Sequence, residues 1–352
     1  MEHRKHINDR LVCWIRRKAE REFSEDISLV CVYGSWLNGT ANHLSDVDCY
    51  FIPRTHRGYG LARTFILEGV GYDIFPLSWE RLEKMASLED GMQPLLGDVQ
   101  VIWQDGNESM DRLNALQETL RQNLQDTSLT HSAAQTRCRR AAELLAGAAA
   151  PRERLAAGYA MTLLAEALVL WKGEYFRFGM KGQYADLCRL FPGPVSDLYA
   201  RIAQAPDGPS ALDTARQLLE NVQELLNLPP FPVQPEPLAP PAPGEPDAPA
   251  LAELYQEICS TFNKIYLCCE NGNYVLAFLS AGVLQLDLDA AQSMGLPEIN
   301  LLAQFDWRRL EDFSRAARAA EESLRQFITS NGAQLRQYAS IGEFENTWEE
   351  AL

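Results

Sequence analysis

The sequence lacks the features of several protein classes. No apolar run reaches the roughly 20 residues that a membrane-spanning helix needs. The basic N-terminal stretch, residues 1–23, has no unbroken apolar centre of the kind found in signal peptides. We therefore expect a cytoplasmic protein with no membrane partner. The eight cysteines include no CxxC pair, so we expect reduced thiols and no zinc site.

Basic residues are scarce relative to acidic ones. The 352 residues include 32 Lys and Arg against 48 Asp and Glu, which gives a formal net charge of −16. Proteins hold DNA and RNA mainly by neutralising phosphates with Lys and Arg. Nucleic acid is therefore not the expected partner, although the total charge does not exclude a local basic patch. The overall field favours cationic partners.

A proline-rich segment, residues 229–249, divides the chain. Roughly half of its residues are proline, which fixes φ and removes amide donors, so neither helix nor sheet is expected there. We interpret it as a semi-rigid linker of the polyproline type. The alternative is an ordered strap that docks on the rest of the protein.

The region before about residue 105 alternates helical and strand patterns. A helical pattern over 7–23 comes first, and Ser78 is placed to cap a short helix over 78–87. The candidate strands are 27–33, 47–52, 62–69, 70–78 and 98–105. This predicts an α+β or α/β domain with a mixed sheet.

Helical patterns dominate the rest of the chain. The predicted organisation is a sheet domain over 1–105, a helical bundle over 106–228, the linker over 229–249 and a second helical module over 250–352.

A Gly-Ser turn and two aspartates mark the candidate site in the first region. Gly34 and Ser35 follow the strand candidate 27–33, and such a turn exposes backbone N–H groups that can hold a phosphate. Asp46 and Asp48 are two residues apart, so on a strand both project from one face. Their carboxylates repel each other unless a cation lies between them, and Mg²⁺ held together with substrate phosphates fits. The alternative is the solvated face of an edge strand.

Asp73 adds a third carboxylate. It lies within the apolar strand candidate 70–78, where a lone charge is costly. If that strand lies beside 47–52, Asp73 joins Asp46 and Asp48 in the arrangement that two metal ions require for phosphoryl or nucleotidyl transfer. The whole donor site is then expected before residue 105.

This set of motifs resembles a known superfamily. The GS pair, the SDVD sequence at 45–48 and a single Asp on a later strand resemble nucleotidyltransferases of the DNA polymerase β type, over about the first 105 residues. A sheet domain followed directly by helices also resembles the kanamycin nucleotidyltransferase branch of antibiotic-modifying enzymes. Residues 156–187 resemble the long helix, tight turn and short helix of that branch. Residues 250–352 carry no such resemblance.

The resemblance implies roles for the matching residues. Gly34 and Ser35 hold the triphosphate of ATP or another NTP, and the three aspartates bind Mg²⁺, two ions in all. Asp73 either completes the metal site or takes the proton of the acceptor. Lys181 is a further candidate for a nucleotide phosphate. The alternative for Lys181 is a solvated cation that interacts with a helix dipole.

The kanamycin branch implies a glutamate from the helical bundle as general base. Glu143 lies at about the right distance along the chain, and its alternative is an exposed surface residue. Glu166 is a second candidate, because its apolar neighbours are expected to raise the pKa of a buried carboxyl. Asp73 is the third. The basic group expected near the base is missing, since Gly147 and Ala148 occupy that region.

We therefore predict a Mg²⁺-dependent nucleotidyltransferase that moves AMP, or another NMP, onto a hydroxyl of a small acceptor. The acidic charge and the branch both favour a cationic acceptor such as an aminoglycoside-like antibiotic, and the resemblance alone implies a homodimer. The alternatives are an enzyme acting on RNA ends or protein side chains, an antitoxin-like protein that binds a helical partner, and a non-catalytic relative.

Overall fold

The computed structural model describes residues 2–350, without the side chains of the last two. Within that range the protein is α+β, as the sequence predicts, with six strands in one mixed sheet. The strands are β1 (Ile27–Tyr33), β2 (Asp48–Pro53), β3 (Arg63–Leu67), β4 (Val70–Pro76), β5 (Gln100–Gln104) and β6 (Gln337–Tyr338). The helices are α1 (Glu2–Glu22), α2 (Gly34–Leu37), α3 (Trp79–Ala86), α4 (Pro94–Gly97), α5 (Asn107–Gln125), α6 (Thr127–Gly147), α7 (Glu153–Trp171), α8 (Gln183–Leu190), α9 (Pro194–Gln204), α10 (Gly208–Leu225), α11 (Ala248–Glu270), α12 (Tyr274–Ala290), α13 (Leu310–Ser330) and α14 (Ile341–Glu350). Short 3₁₀ helices cover His56–Leu61, Gly179–Lys181, Ala291–Met294 and Leu302–Gln304.

The chain folds into two units whose boundaries differ from the predicted ones. The first unit contains the chain up to Gln122, the segment Ala252–Asn263 and the chain from Gly332 onward. The second contains Asn123–Leu251 and Lys264–Asn331. The region predicted as one helical module, 250–352, is therefore shared between the two units.

The sheet of the first unit has the strand order β5-β1-β2-β4-β3-β6. β1 is antiparallel to both β2 and β5, β3 is antiparallel to β4, and β2 runs parallel to β4. β6 adds a short parallel edge beside β3. The five longer strands form where β-branched and aromatic residues alternate between turn residues, and each falls within about two residues of its predicted position. Ser78 caps α3 as predicted, since its hydroxyl accepts a hydrogen bond from the amide of Arg81 at 3.2 Å.

One face of this sheet packs against α1 and α14. Phe344 of α14 is completely buried, stacks on Phe65 with ring centroids 4.3 Å apart, and meets the edge of Trp14 at 4.9 Å. The C-terminal segment thus completes the core of the first unit. Local sequence patterns do not reveal this, because Phe344 and Phe65 are far apart in the chain.

The opposite face of the sheet lies beneath α4 and the first-unit segment of α11. The hydroxyl of Tyr50 donates to the carbonyl of Leu95 at 2.8 Å. Gly71 of β4 lets α11 approach closely, because a Cβ at this position would lie 2.6 Å from the carbonyl oxygen of Gln256. This face therefore brings residues from the far end of the sequence next to β4.

The second unit is a set of helices around α7 and α12. Two spans, Glu153–Trp171 and Tyr274–Met294, are long and apolar enough to cross a membrane, but 67% and 61% of them are buried within the fold. Core helices of soluble proteins have the same composition and burial. A buried ion pair joins α12 to the start of α7, with Nη1 of Arg152 2.5 Å from a carboxylate oxygen of Asp289.

The proline-rich segment forms no helix or strand from 228 to 247. Backbone hydrogen bonds hold it within the second unit: the amide of Glu236 donates to the carbonyl of Glu143 at 3.1 Å, and that of Gly244 to Gln292 at 2.9 Å. The side chain of Glu236 also pairs with Arg140 at 2.8 Å. The segment is thus a docked strap and not a free linker.

Candidate functional site

Asp48 and Asp73 are neighbours on paired strands of the first unit. The parallel register of β2 and β4 aligns Cys49 with Ile74, so the residues that precede them are level with each other. Cys49 and Ile74 point into the core beneath α1. Because side chains alternate along a strand, Asp48 and Asp73 share the opposite face, on strands about 4.8 Å apart.

The charges of all three aspartates act on the phenol of Tyr33. This tyrosine is the last residue of β1 and pairs with Asp48 across the ladder. The pKa of Tyr33 is raised well above its ordinary value, first by burial and then by the charges of Asp48, Asp46 and Asp73. The charges of all three carboxylates therefore act on this one phenol.

Gly34 places the predicted turn directly against Asp48. Its φ is +76°, a conformation that favours glycine. The carboxylate of Asp48 also occupies the space that a Cβ at this position would take. Ser35 follows in the first turn of α2 and is buried. Gly34 and Asp48 are thus in direct contact, and Asp73 is level with Asp48 on the neighbouring strand.

Glu257 is a fourth acid near the site that sequence reasoning did not find. Burial, and after it the charge of Glu257, raises the pKa of Asp73 to about 7. Partial burial of the carboxyl also raises the pKa of Glu257, although the residue as a whole is exposed. Glu257 lies beyond residue 105, in the segment of α11 that belongs to the first unit. Glu257 lies in an ordinary amphipathic helix, so no local signal distinguishes it.

Asp73 should make the metal-free protein less stable at high pH. Its folded pKa of about 7 lies above the value of about 3.9 expected in the unfolded chain. The unfolded state therefore ionises first as pH rises, and the folded state loses relative stability between about pH 4 and 7. Asp73→Asn removes this effect and should raise the Tm in EDTA at pH 8, with a gain that shrinks towards pH 4.

Asp105→Asn is the control for that experiment. Asp105 directly follows β5 of the same sheet, and its largely buried carboxylate pairs with Arg54. Its replacement should lower the Tm at pH 8, because it removes the partner of a cation. A Tm of Asp73→Asn at or below wild type at pH 8 would contradict the raised pKa.

The carboxylates suit Mg²⁺ that is shared with a ligand. Among residues 2–350, no three His, Cys, Asp or Glu side chains lie close enough together to hold a metal ion by themselves. Mg²⁺ at phosphoryl-transfer sites is held by one or two carboxylates plus substrate phosphates. The oxygen donors of Asp48 and Asp73, beside the Gly34 turn, fit that second arrangement and not a closed protein cage.

Two of the predicted base candidates, Glu143 and Glu166, lie in the second unit together with Lys181. Glu143 of α6 is half-buried, and the strap crosses its helix at Gly147, where the backbone of Glu236 occupies the space of a Cβ. Glu166 lies 3.7 Å from Nε of the buried Arg137. Lys181 is exposed, and its charge counteracts the rise that burial causes in the pKa of Cys268.

Comparison with known proteins gives a distant structural likeness. No protein-family model and no curated protein match the chain. Among solved structures, the chain is similar to the nucleotidyltransferase-like protein from Exiguobacterium sibiricum 255-15, with 14% identity and a TM-score of 0.33. The match covers 70% of this chain and 78% of that chain. Similarity this distant does not establish an activity, and the kanamycin-type branch stays a prediction.

Proposed function

We propose that the protein is a Mg²⁺-dependent nucleotidyltransferase that moves NMP, in the first instance AMP from ATP, onto a hydroxyl of a small acceptor. The observation that supports this is the convergence of Asp46, Asp48 and Asp73 on Tyr33, beside the Gly34 turn. Acids on adjacent strands beside such a turn suit a nucleotide triphosphate with its metal ions better than they suit a structural role.

The proposed reaction follows from this arrangement. Asp48 and Asp73, with Asp46 as the third acid, would hold Mg²⁺ together with the substrate phosphates, and the ion would neutralise charge that develops on those phosphates. The turn at Gly34 and Ser35 receives the triphosphate. The acceptor hydroxyl attacks the α-phosphorus in line, its proton passes to a carboxylate, and pyrophosphate leaves.

The acceptor side is proposed from charge. The net charge of −16 attracts cations, which favours a polycationic acceptor such as an aminoglycoside-like antibiotic. The charge of Glu257 also contributes, after burial, to the raised pKa of Asp73, which adds a further acid to this part of the first unit. No specific observation favours an RNA end or a helical protein partner over this choice.

A transfer assay tests the proposed function. The full chain is incubated with Mg²⁺, each labelled NTP in turn and pooled small acceptors, cationic and neutral, while pyrophosphate release is followed. The expected result is release that needs Mg²⁺ and an acceptor, strongest with ATP and a cationic acceptor. Equal pyrophosphate release with wild type and with Asp48→Asn in every pool would contradict the proposal.

Glu143 is the proposed general base. Glu143→Gln is expected to lower kcat by about 10²–10⁴, because the amide cannot take the proton of the acceptor. The affinity for the nucleotide should hardly change. Glu224→Gln, at an exposed helix position of the same unit, is the control and should keep the wild-type rate. An unchanged kcat in Glu143→Gln would move the role to Glu166 or Asp73.

A further inference from the structure

Asp46 differs from the other two aspartates in how its backbone is held. Asp48 and Asp73 belong to strands β2 and β4, whose ladder fixes their backbones. β2 begins only at Asp48, so Asp46 lies in the irregular segment that leads into the strand. A metal ligand needs a fixed backbone to be held in productive geometry. Some other group must therefore fix the chain at Asp46.

Asn8 of α1 makes that connection. It is completely buried, and its Nδ2 donates to the carbonyls of Ser45 at 3.1 Å and Asp46 at 3.3 Å. Its Oδ1 accepts a hydrogen bond from the hydroxyl of Tyr72 at 2.6 Å. One amide group thus joins the backbone of the first predicted metal ligand to the residue that precedes the third, Asp73.

Arg4, one turn earlier on α1, reinforces the same connection. Its Nη1 donates to the hydroxyl of Tyr72 at 3.2 Å, and its Nε to the carbonyl of His43 at 3.2 Å. Its Nη2 donates to the carbonyl of Glu68 at 3.2 Å. The two side chains therefore tie the segment before β2 to the β3–β4 hairpin.

We propose that Asn8 is a positioning residue for the metal site. It fixes the backbone at Asp46 against Tyr72 of β4, and so sets the carboxylate of Asp46 relative to those of Asp48 and Asp73. This role rests on the proposed function, because it assumes that the three acids hold Mg²⁺ with a nucleotide. Asparagine suits the position because a buried amide donates to two carbonyls and accepts from a phenol at once.

The test compares two variants of this connection with a matched pair elsewhere. Asn8→Ala removes the amide, and Tyr72→Phe removes only the hydroxyl. In the second unit the hydroxyl of the buried Tyr199 donates to Oε1 of Gln183 at 2.8 Å, which is the same chemistry. Gln183→Ala and Tyr199→Phe are therefore the controls, since they break a buried phenol–amide bond without touching the acids.

The first measurement is hydrogen exchange without metal or nucleotide. Asn8→Ala should speed exchange of the amides in 42–48 by about tenfold or more, because two buried carbonyls lose their donor. Tyr72→Phe should cause a smaller increase in the same segment, and neither control variant should cause one. Unchanged exchange in 42–48 for Asn8→Ala would overturn the proposal without reference to any activity.

The second measurement is calorimetric binding of α,β-methylene-ATP in the presence of Mg²⁺. Asn8→Ala should weaken this binding by about 10–100-fold, as is usual when a partner behind a metal ligand is lost. The double variant with Tyr72→Phe should be no weaker than Asn8→Ala alone, because both act through one connection. Faster exchange with unchanged affinity would show a purely structural role and overturn the proposal. Absence of binding by the wild-type protein would refute the proposed function instead, and with it the role of Asn8 towards the metal.

Discussion

Replacement of Asp48 by asparagine is expected to lower the rate of nucleotidyl transfer by about a thousandfold or more. Asparagine keeps the size of the side chain but brings no negative charge to the metal. Asp48 is also the acid that lies against Gly34 and is level with Asp73, so its loss affects the turn and the metal together. The fold should survive, because the replacement is isosteric and removes repulsion between neighbouring carboxylates.

The control for this prediction is Asp105→Asn. Asp105 follows β5, whose last residue pairs near the start of β1, whereas Asp48 pairs with the last residue of β1. Asp105 and Asp48 therefore lie near opposite ends of β1. The control should lose stability through its contact with Arg54 but keep its turnover at a permissive temperature. Turnover of Asp48→Asn above about a tenth of the wild-type value, in folded protein, would be incompatible with a role in metal binding.

Replacement of Phe344 by alanine is expected to destabilise the first unit by about 3–5 kcal/mol. The side chain is completely buried between Phe65 and Trp14, so its removal leaves a cavity in the core under the sheet. Urea unfolding of the full chain, followed through the tryptophan fluorescence of Trp14 and its neighbours, measures the change. Phe178→Ala is the control, since its ring is 53% exposed and should contribute little. Equal stability of the two variants would show that α14 is not part of the core.

The contribution of α14 to the core of the first unit changes the expected behaviour of a truncated protein. The sequence patterns suggest that a chain ending near Leu228 keeps the whole donor site. Such a chain lacks Ala252–Asn263, β6 and α14, which belong to the first unit. We expect this shorter chain to lose the core around Phe65. It should therefore fail to fold the first unit, although it retains the predicted motifs.

The strands and the site residues they carry were largely predictable from sequence. β1 and β4 are short runs rich in β-branched and aromatic residues between turn signals, so their position follows from the local sequence alone. The side of the sheet on which Asp48 and Asp73 lie follows from the same alternation. The pairing of β2 with β4 does not follow from local sequence, because it depends on contacts between distant segments. The prediction for Asp73 was conditional on that pairing.

The residues that sequence reasoning missed act over long distances in the chain. Glu257 reaches Asp73 from α11, and Asn8 reaches Asp46 from α1. Each lies in an amphipathic helix in which a polar residue is unremarkable, so composition and spacing do not mark it. The segment with β6 and Phe344 was missed for the same reason. It contributes a two-residue strand to the sheet and one aromatic ring to the core, and both contacts are with residues far away in the chain.

The most direct test of the metal–nucleotide site is a crystal structure of the full chain with Mn²⁺ and α,β-methylene-ATP, in which anomalous scattering locates the metal. We expect Mn²⁺ to be bound by the carboxylates of Asp48 and Asp73, with the triphosphate against the turn at Gly34 and Ser35. A bound metal and nucleotide with none of Asp46, Asp48 and Asp73 among the ligands would contradict it.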